Sequence, residues 1–252
     1  MEMERTAFLE ILNRVFAANG LVLSDESAAR FYLLAEALRR ENQKMNLTAI
    51  TDQKEIALRH FCDCALLADT EILPAHAALA DVGAGAGFPT LPLAILRPDL
   101  KITAIDSTEK RMTFVRQTAE QLGLKNVRVL AARAETLGQN GMYRERYDCV
   151  IARAVARMRV LCEWCLPLVK VEGRFAVMKG RAGEEEAREA NNAVLLLGGK
   201  IGKIRSYVLT DPYAPAESED AAQKRCMILV EKIKHTPPKY PRNNAQIMKK
   251  PL

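Results

Sequence analysis

Gly83, Gly85 and Gly87 follow a short apolar run (residues 77–82) and precede an apolar helical pattern that resumes at Leu91. Such a pattern reads as strand, glycine turn and helix. Glycine suits a chain that must turn tightly and let a ligand lie against bare backbone, with the first helical N–H groups pointing at it. The spacing is not the G-x-G-x-x-G of a dinucleotide site, because Phe88 stands where the third glycine would fall. Asp81 stands just before the first glycine, and Asp106 closes the next apolar run about twenty residues beyond the turn. A carboxylate at the end of that second strand can accept hydrogen bonds from both ribose hydroxyls of a nucleoside. Alone, the same acid would serve equally as a helix cap or a solvated charge. Turn and acid together imply a nucleoside cofactor.

Other reactive side chains gather at the ends of the same run of elements. Arg133, Ala134 and Glu135 follow a third strand, 127–131, where backbone can meet an adenine edge and Glu135 can join it or merely cap a short helix. Arg153 leaves a fourth strand, 147–151, where its planar fork would meet an anion or form a surface salt bridge. Lys179 ends a fifth strand, 174–179. Arg59, His60 and Asp63 share a face if residues 51–63 form an α-helix, which leaves His60 either in a His-Asp dyad or as a satisfied structural donor.

These residues need a layered scaffold, and the chain alternates short apolar runs with helical stretches as α/β proteins do. Helices are expected over 5–18, ended by Asn19-Gly20, and from a Ser24 cap to about residue 42. Further helices are expected over 108–122, 160–169 and 184–197, and closing strands over 201–209 and 226–231. Residues 1–70 read as a helical extension, 71–232 as the core and 233–252 as a tail. The tail carries Lys239, Arg242, Lys249 and Lys250 among prolines and no acid, a composition suited to an extended arm on a phosphate backbone or to a solvated tail. The net charge of +6 points to a polyanionic partner or to solubility. Six cysteines read as small buried hydrophobes, with no metal site. No apolar run approaches membrane-spanning length and the start is acidic, so a cytoplasmic protein is expected, and a single domain suggests a monomer.

In order, the chain carries M-N-L-T-A-I, R-H-F-x-D, D-V-G-A-G-A-G-F-P, I-D-S-x-x-K-R, R-A-E, A-R-A-V-A, K-G and T-P-P-K-Y-P-R. From Leu33 onward it closely resembles the bacterial ribosomal RNA small subunit methyltransferase G family, also called glucose-inhibited division protein B. The resemblance implies an α/β, Rossmann-like class I S-adenosylmethionine-dependent methyltransferase fold, a seven-stranded, mostly parallel sheet with an N-terminal helical extension. It implies methylation of N7 of a guanine in 16S rRNA, with S-adenosyl-L-methionine as cofactor and 16S rRNA or the small ribosomal subunit as partner. By position it puts cofactor contacts on Gly83, Phe88, Ala134, Glu135 and Arg153, with Asp106 as the ribose ligand. Asp81, Gly85 and Gly87 complete the turn. Asn46, His60, Arg133, Lys179 and the basic tail match the RNA side, and Asn46, His60 and Arg153 are the positioning candidates. The chain departs from the pattern at Cys64, where serine is common, at Thr90, where glycine is usual, and at residues 243–248. Two other readings stand beside this one, a small-molecule methyltransferase and an RNA-binding protein without catalysis.

Overall fold

The computed structural model describes residues 4–153, 155–215 and 217–252. The first three residues of the acidic start and Ala154 of the A-R-A-V-A run lie outside them. Seven strands form one sheet: β1 (Ala78–Val82), β2 (Lys101–Asp106), β3 (Val127–Ala131), β4 (Tyr147–Arg153), β5 (Val169–Lys179), β6 (Gly199–Thr210) and β7 (Ala222–Lys232). Their order is β3-β2-β1-β4-β5-β7-β6. Neighbours among β1 to β5 run parallel, while β7 is antiparallel to both β5 and β6. The chain winds outward from β1 through β2 to β3 and then restarts at β4 on the other side of β1. That reversal opens a crevice beyond the carboxyl ends of β1 and β4.

Both faces of the sheet are covered. Helices Met158–Cys165 and Gly183–Leu196 pack on one face over Phe175, Val177, Ile228 and Val230. On the other side, α1 (Arg5–Ala18) and α2 (Asp25–Met45) are joined to the core by a chain of aromatic rings. Phe31 lies 4.9 Å from Phe61, and Phe61 lies 6.1 Å from Phe88 beside the glycine turn. Phe8, Phe31 and Phe61 are fully buried, each worth about 2 kcal/mol of apolar burial. The N-terminal helices therefore share one core with the wall of the crevice. Among the described residues no helix is long and apolar enough to cross a membrane, and all six cysteines are buried.

Most expected elements are present, with shifted ends. β5 begins five residues before the expected Arg174, and α2 runs on to Met45, where Asn46 ends it in the left-handed conformation.

The tail is the main correction. It is not an extended arm but folds back onto the core. Arg144 donates to the carbonyls of Gly138, Thr236 and Tyr240, and the buried Lys232 ammonium donates to those of Leu166 and Val169 and to Thr236 Oγ1. Arg242 holds the buried Glu163 through its backbone N–H (2.8 Å) and its Nε (2.8 Å) and Nη2 (2.6 Å). Ile247 is fully buried. Proline-rich segments make few internal hydrogen bonds, so their carbonyls are open to donors elsewhere. Here those donors sit near residue 144, remote in sequence.

Replacing Arg242 by alanine would leave the Glu163 carboxylate buried and unpaired. Arg242→Ala is expected to cost about 3 kcal/mol in urea unfolding, against less than about 0.5 kcal/mol for the exposed Lys249→Ala.

Candidate active site

The glycine turn is locked to the neighbouring strand before it meets any ligand. The N–H groups of Gly83 and Ala84 both donate to Ile105 O (2.8 and 3.1 Å) at the end of β2. All three glycines have positive φ. A Cβ on Gly83 would lie 2.5 Å from Val155 Cγ2 and one on Gly87 2.6 Å from Leu91 Cδ1, whereas one on Gly85 would meet only Gly83 O, at 3.8 Å. Gly85 thus faces open space. Its N–H donates to Asp106 Oδ2 (3.1 Å), and Thr108 N–H donates to Oδ1 (2.8 Å). Each Asp106 oxygen retains a lone pair for a ribose hydroxyl.

Asp81 has a different place from the one expected. It is wholly buried, lines neither cavity, and accepts from the N–H (3.1 Å) and Oγ1 (2.7 Å) of Thr90. Burial lifts its pKa to about 6 against the pull of those two bonds. It ties the end of β1 to helix Thr90–Leu96. Thr90, the departure from the resembled pattern, is its donor.

Two cavities of about 230 and 320 Å³ meet at Gly83, Asp106 and Val155. The first is walled by Ile105, Ala132, Ala134 and Glu135 and by Trp164, Asn244 and Met248. The second is walled by Thr48, His60, Phe88 and Arg153. A nucleoside with a polar arm fits this arrangement, its ribose at Asp106 and its two ends in the two cavities. Three buried polar atoms on these walls, Trp164 Nε1, Asn244 Oδ1 and His60 Nδ1, have no hydrogen-bond partner among the described residues.

His60 stands on a π-helical segment, Ile56–Cys62, set between short α-helical turns. This winding, unusual and often found at functional sites, alters which residues share a face. The His60–Asp63 dyad does not form. The His60 ring stacks on Phe88 (4.5 Å, 9° between planes) with Nε2 2.9 Å from Thr48 Oγ1. Burial, reinforced by the Arg153 cation, lowers its pKa to about 3. Asp63 instead takes the Tyr207 hydroxyl (3.2 Å) and the cations of Arg153 (3.6 Å) and Arg225 (3.7 Å). The anion that meets Arg153 is thus the protein's own. Arg153 also donates to Arg59 O and to the sulfur of Cys64, whose thiol burial keeps neutral by raising its pKa to about 12.

A family model described as rRNA small subunit methyltransferase G matches residues 27–210. A protein of Lactobacillus acidophilus named ribosomal RNA small subunit methyltransferase G is 46% identical over 91% of this chain and 93% of its own length. One of the same name from Listeria monocytogenes is 45% identical over 96% and 98%. The chain belongs to this methyltransferase G family. Among solved structures, a 16S rRNA (adenine(1408)-N(1))-methyltransferase from Catenulisporales acidiphilia shares the fold with a TM-score of 0.51 at 16% identity, covering 69% of this chain and 93% of that one. A SAM-dependent O-methyltransferase from Thermotoga maritima matches at 0.50 and 17% identity, covering 79% and 72%. The class I methyltransferase fold expected from the sequence is the one found.

The remaining family positions divide. Ala134 and Glu135 line the first cavity, and Arg133 stands at its rim with its side chain more than half exposed. Lys239, Lys249 and Lys250 are exposed. Lys179 is not free for RNA: its ammonium donates to Ala156 O (2.6 Å) and Glu186 Oε2 (2.8 Å). Arg242 is taken by Glu163. Asn46 caps α2 and lines neither cavity. Sequence reading passed over Thr48, Val155, Trp164 and Asn244 as site residues. The one sequence signal for Asn244 is the departure of the tail at residues 243–248.

Two outcomes follow from this geometry. Gly83→Ala should destabilise the protein more than Gly85→Ala in thermal unfolding, because both incur left-handed strain of about 1 kcal/mol but only Gly83 adds a clash. His60 is protonated less readily in the folded chain than when unfolded, where its pKa is about 6.5. The stability supplied by its neutral form is full above that value and is lost as pH falls toward 3. The stability gap between wild type and His60→Gln should therefore narrow from about pH 7 to about pH 4, by at most about 1.4 kcal/mol per pH unit, measured by urea unfolding at both ends.

Proposed function

We propose that this chain uses S-adenosyl-L-methionine to methylate N7 of a guanine in 16S rRNA, free or within the small ribosomal subunit. The observation that carries the reading is the lining of the second cavity, where only Asp106 and His60 could take up a proton at neutral pH and both Asp106 oxygens already accept an N–H. At a pKa of about 3, His60 is too weak to draw a proton from an amine or hydroxyl at neutral pH. Guanine N7 needs no such help, since it already has a lone pair and carries no proton. The cofactor supplies an electrophilic methyl on a sulfonium, whose sulfur keeps the bonding electrons when the methyl passes to N7.

The work left to the protein is positioning, worth several kcal/mol and up to about ten. Gly85 and Asp106 hold the nucleoside, and Phe88 with His60 forms a flat, uncharged wall in the second cavity. A neutral His60 adds no further positive charge beside the sulfonium, in a cavity that Arg111 and Arg153 also line. Arg133, Lys239, Lys249 and Lys250 are exposed for phosphate contacts, consistent with the net charge of +6. A ribosomal substrate implies work in the cytoplasm, and a single seven-stranded sheet with its helices suggests a monomer.

Methyl transfer from labelled S-adenosyl-L-methionine to small subunits and to protein-free 16S rRNA, with nucleosides identified by mass spectrometry, tests the reading. Label is expected as 7-methylguanosine. Cofactor binding with no label in RNA would instead favour a small-molecule methyltransferase. His60→Ala is expected to weaken RNA binding about tenfold while changing affinity for S-adenosyl-L-homocysteine less than about twofold. The reverse split would remove His60 from RNA placement.

A further inference from the structure

Residues 243–248, where the tail departs from the resembled pattern, form part of the first cavity. Asn243 caps helix Asn244–Lys249 by accepting from Gln246 N–H (3.0 Å). Buried Ile247 and the Arg242–Glu163 pair fix that helix in place, and Arg159 donates to the carbonyl of Pro251 (3.0 Å). The helix brings Asn244 and Met248 to the cavity, and Trp164, the residue after Glu163, joins them. Asn244 Oδ1 is an acceptor and Trp164 Nε1 a donor, both buried and both without a partner among the described residues. Two orphaned groups of opposite sense on one wall call for a ligand that pairs them. The remaining wall is largely apolar, with Val82, Ile105 and Ala132 suited to a flat base. Adenine offers the complement, an exocyclic amine that donates and ring nitrogens that accept.

We propose that the C-terminal helix forms the nucleobase wall of the cofactor site and that Asn244, with Trp164, selects adenine through its exocyclic amine and a ring nitrogen. This rests on the cofactor reading above, with the ribose at Asp106. It turns a tail expected to grip RNA into a specificity element for the cofactor.

Calorimetric titration with S-adenosyl-L-homocysteine and with its 6-deamino analogue, in which hydrogen replaces the amine, tests the assignment. Quenching or shift of the emission of Trp164, the sole tryptophan, gives a second readout of occupancy. Wild type is expected to prefer the amine-bearing ligand roughly tenfold. Asn244→Ala, and the volume-conserving Asn244→Leu should alanine fail to fold, are expected to bind both ligands alike. Trp164→Phe is expected to weaken both ligands by the same factor. A preference that survives in the Asn244 variants, or a wild type without one, would overturn the proposal while leaving the cofactor in place. A wild type that binds neither ligand would overturn the cofactor reading as well.

Discussion

The structure turns on one buried guanidinium. Arg153 ends the central strand β4 and meets Asp63 from the π-containing helical run 53–65, while Asp63 also receives Tyr207 of β6 and Arg225 of β7. Three regions remote in sequence are thereby joined at one carboxylate. Removing one partner of a buried charge pair typically costs about 3–5 kcal/mol, which makes such a hub hard to dismantle piecemeal. The bonds from Arg153 to Arg59 O and Cys64 fix the segment between them, which includes His60. The stack of His60 on Phe88 is the downstream result.

Burial then decides the charge state of the site. His60 is kept neutral and Asp81 is pushed toward neutrality, both chiefly because a charge there would lose its water. The stacked pair of Phe88 and His60 is therefore flat and uncharged, within a cavity that Arg111 and Arg153 also line, while Asp106 stays at the crevice with one donor on each oxygen.

The tail shows how composition can mislead about placement. Its basic residues do not act as a set: Arg242 is consumed by Glu163, whereas Lys239, Lys249 and Lys250 remain exposed. Thr236 and Tyr240, each followed by a proline, supply carbonyls to Arg144, and the tail's last helix closes the cavity that the central strands open. Exposed charge, a buried ion pair and cavity wall are divided among neighbouring residues of one segment.

The local signals in the sequence were enough for the glycine turn, the acid at the end of β2, the alternation of strands and helices and the family. Each rests on residues close together in the chain: positive φ at three spaced glycines, or an apolar run closed by Asp106. They were not enough for Asp81, which bonds Thr90 instead of facing the cavity, for Lys179, which pairs with Glu186, or for Arg242. Nor could helical periodicity foresee that π winding would send His60 to Thr48 and Phe88 and Asp63 to Arg153. Those outcomes depend on which charges share a buried volume. Packing brings together residues about ninety positions apart, as with Arg153 and Cys64, and only the tertiary structure chose among the partners that the sequence left open.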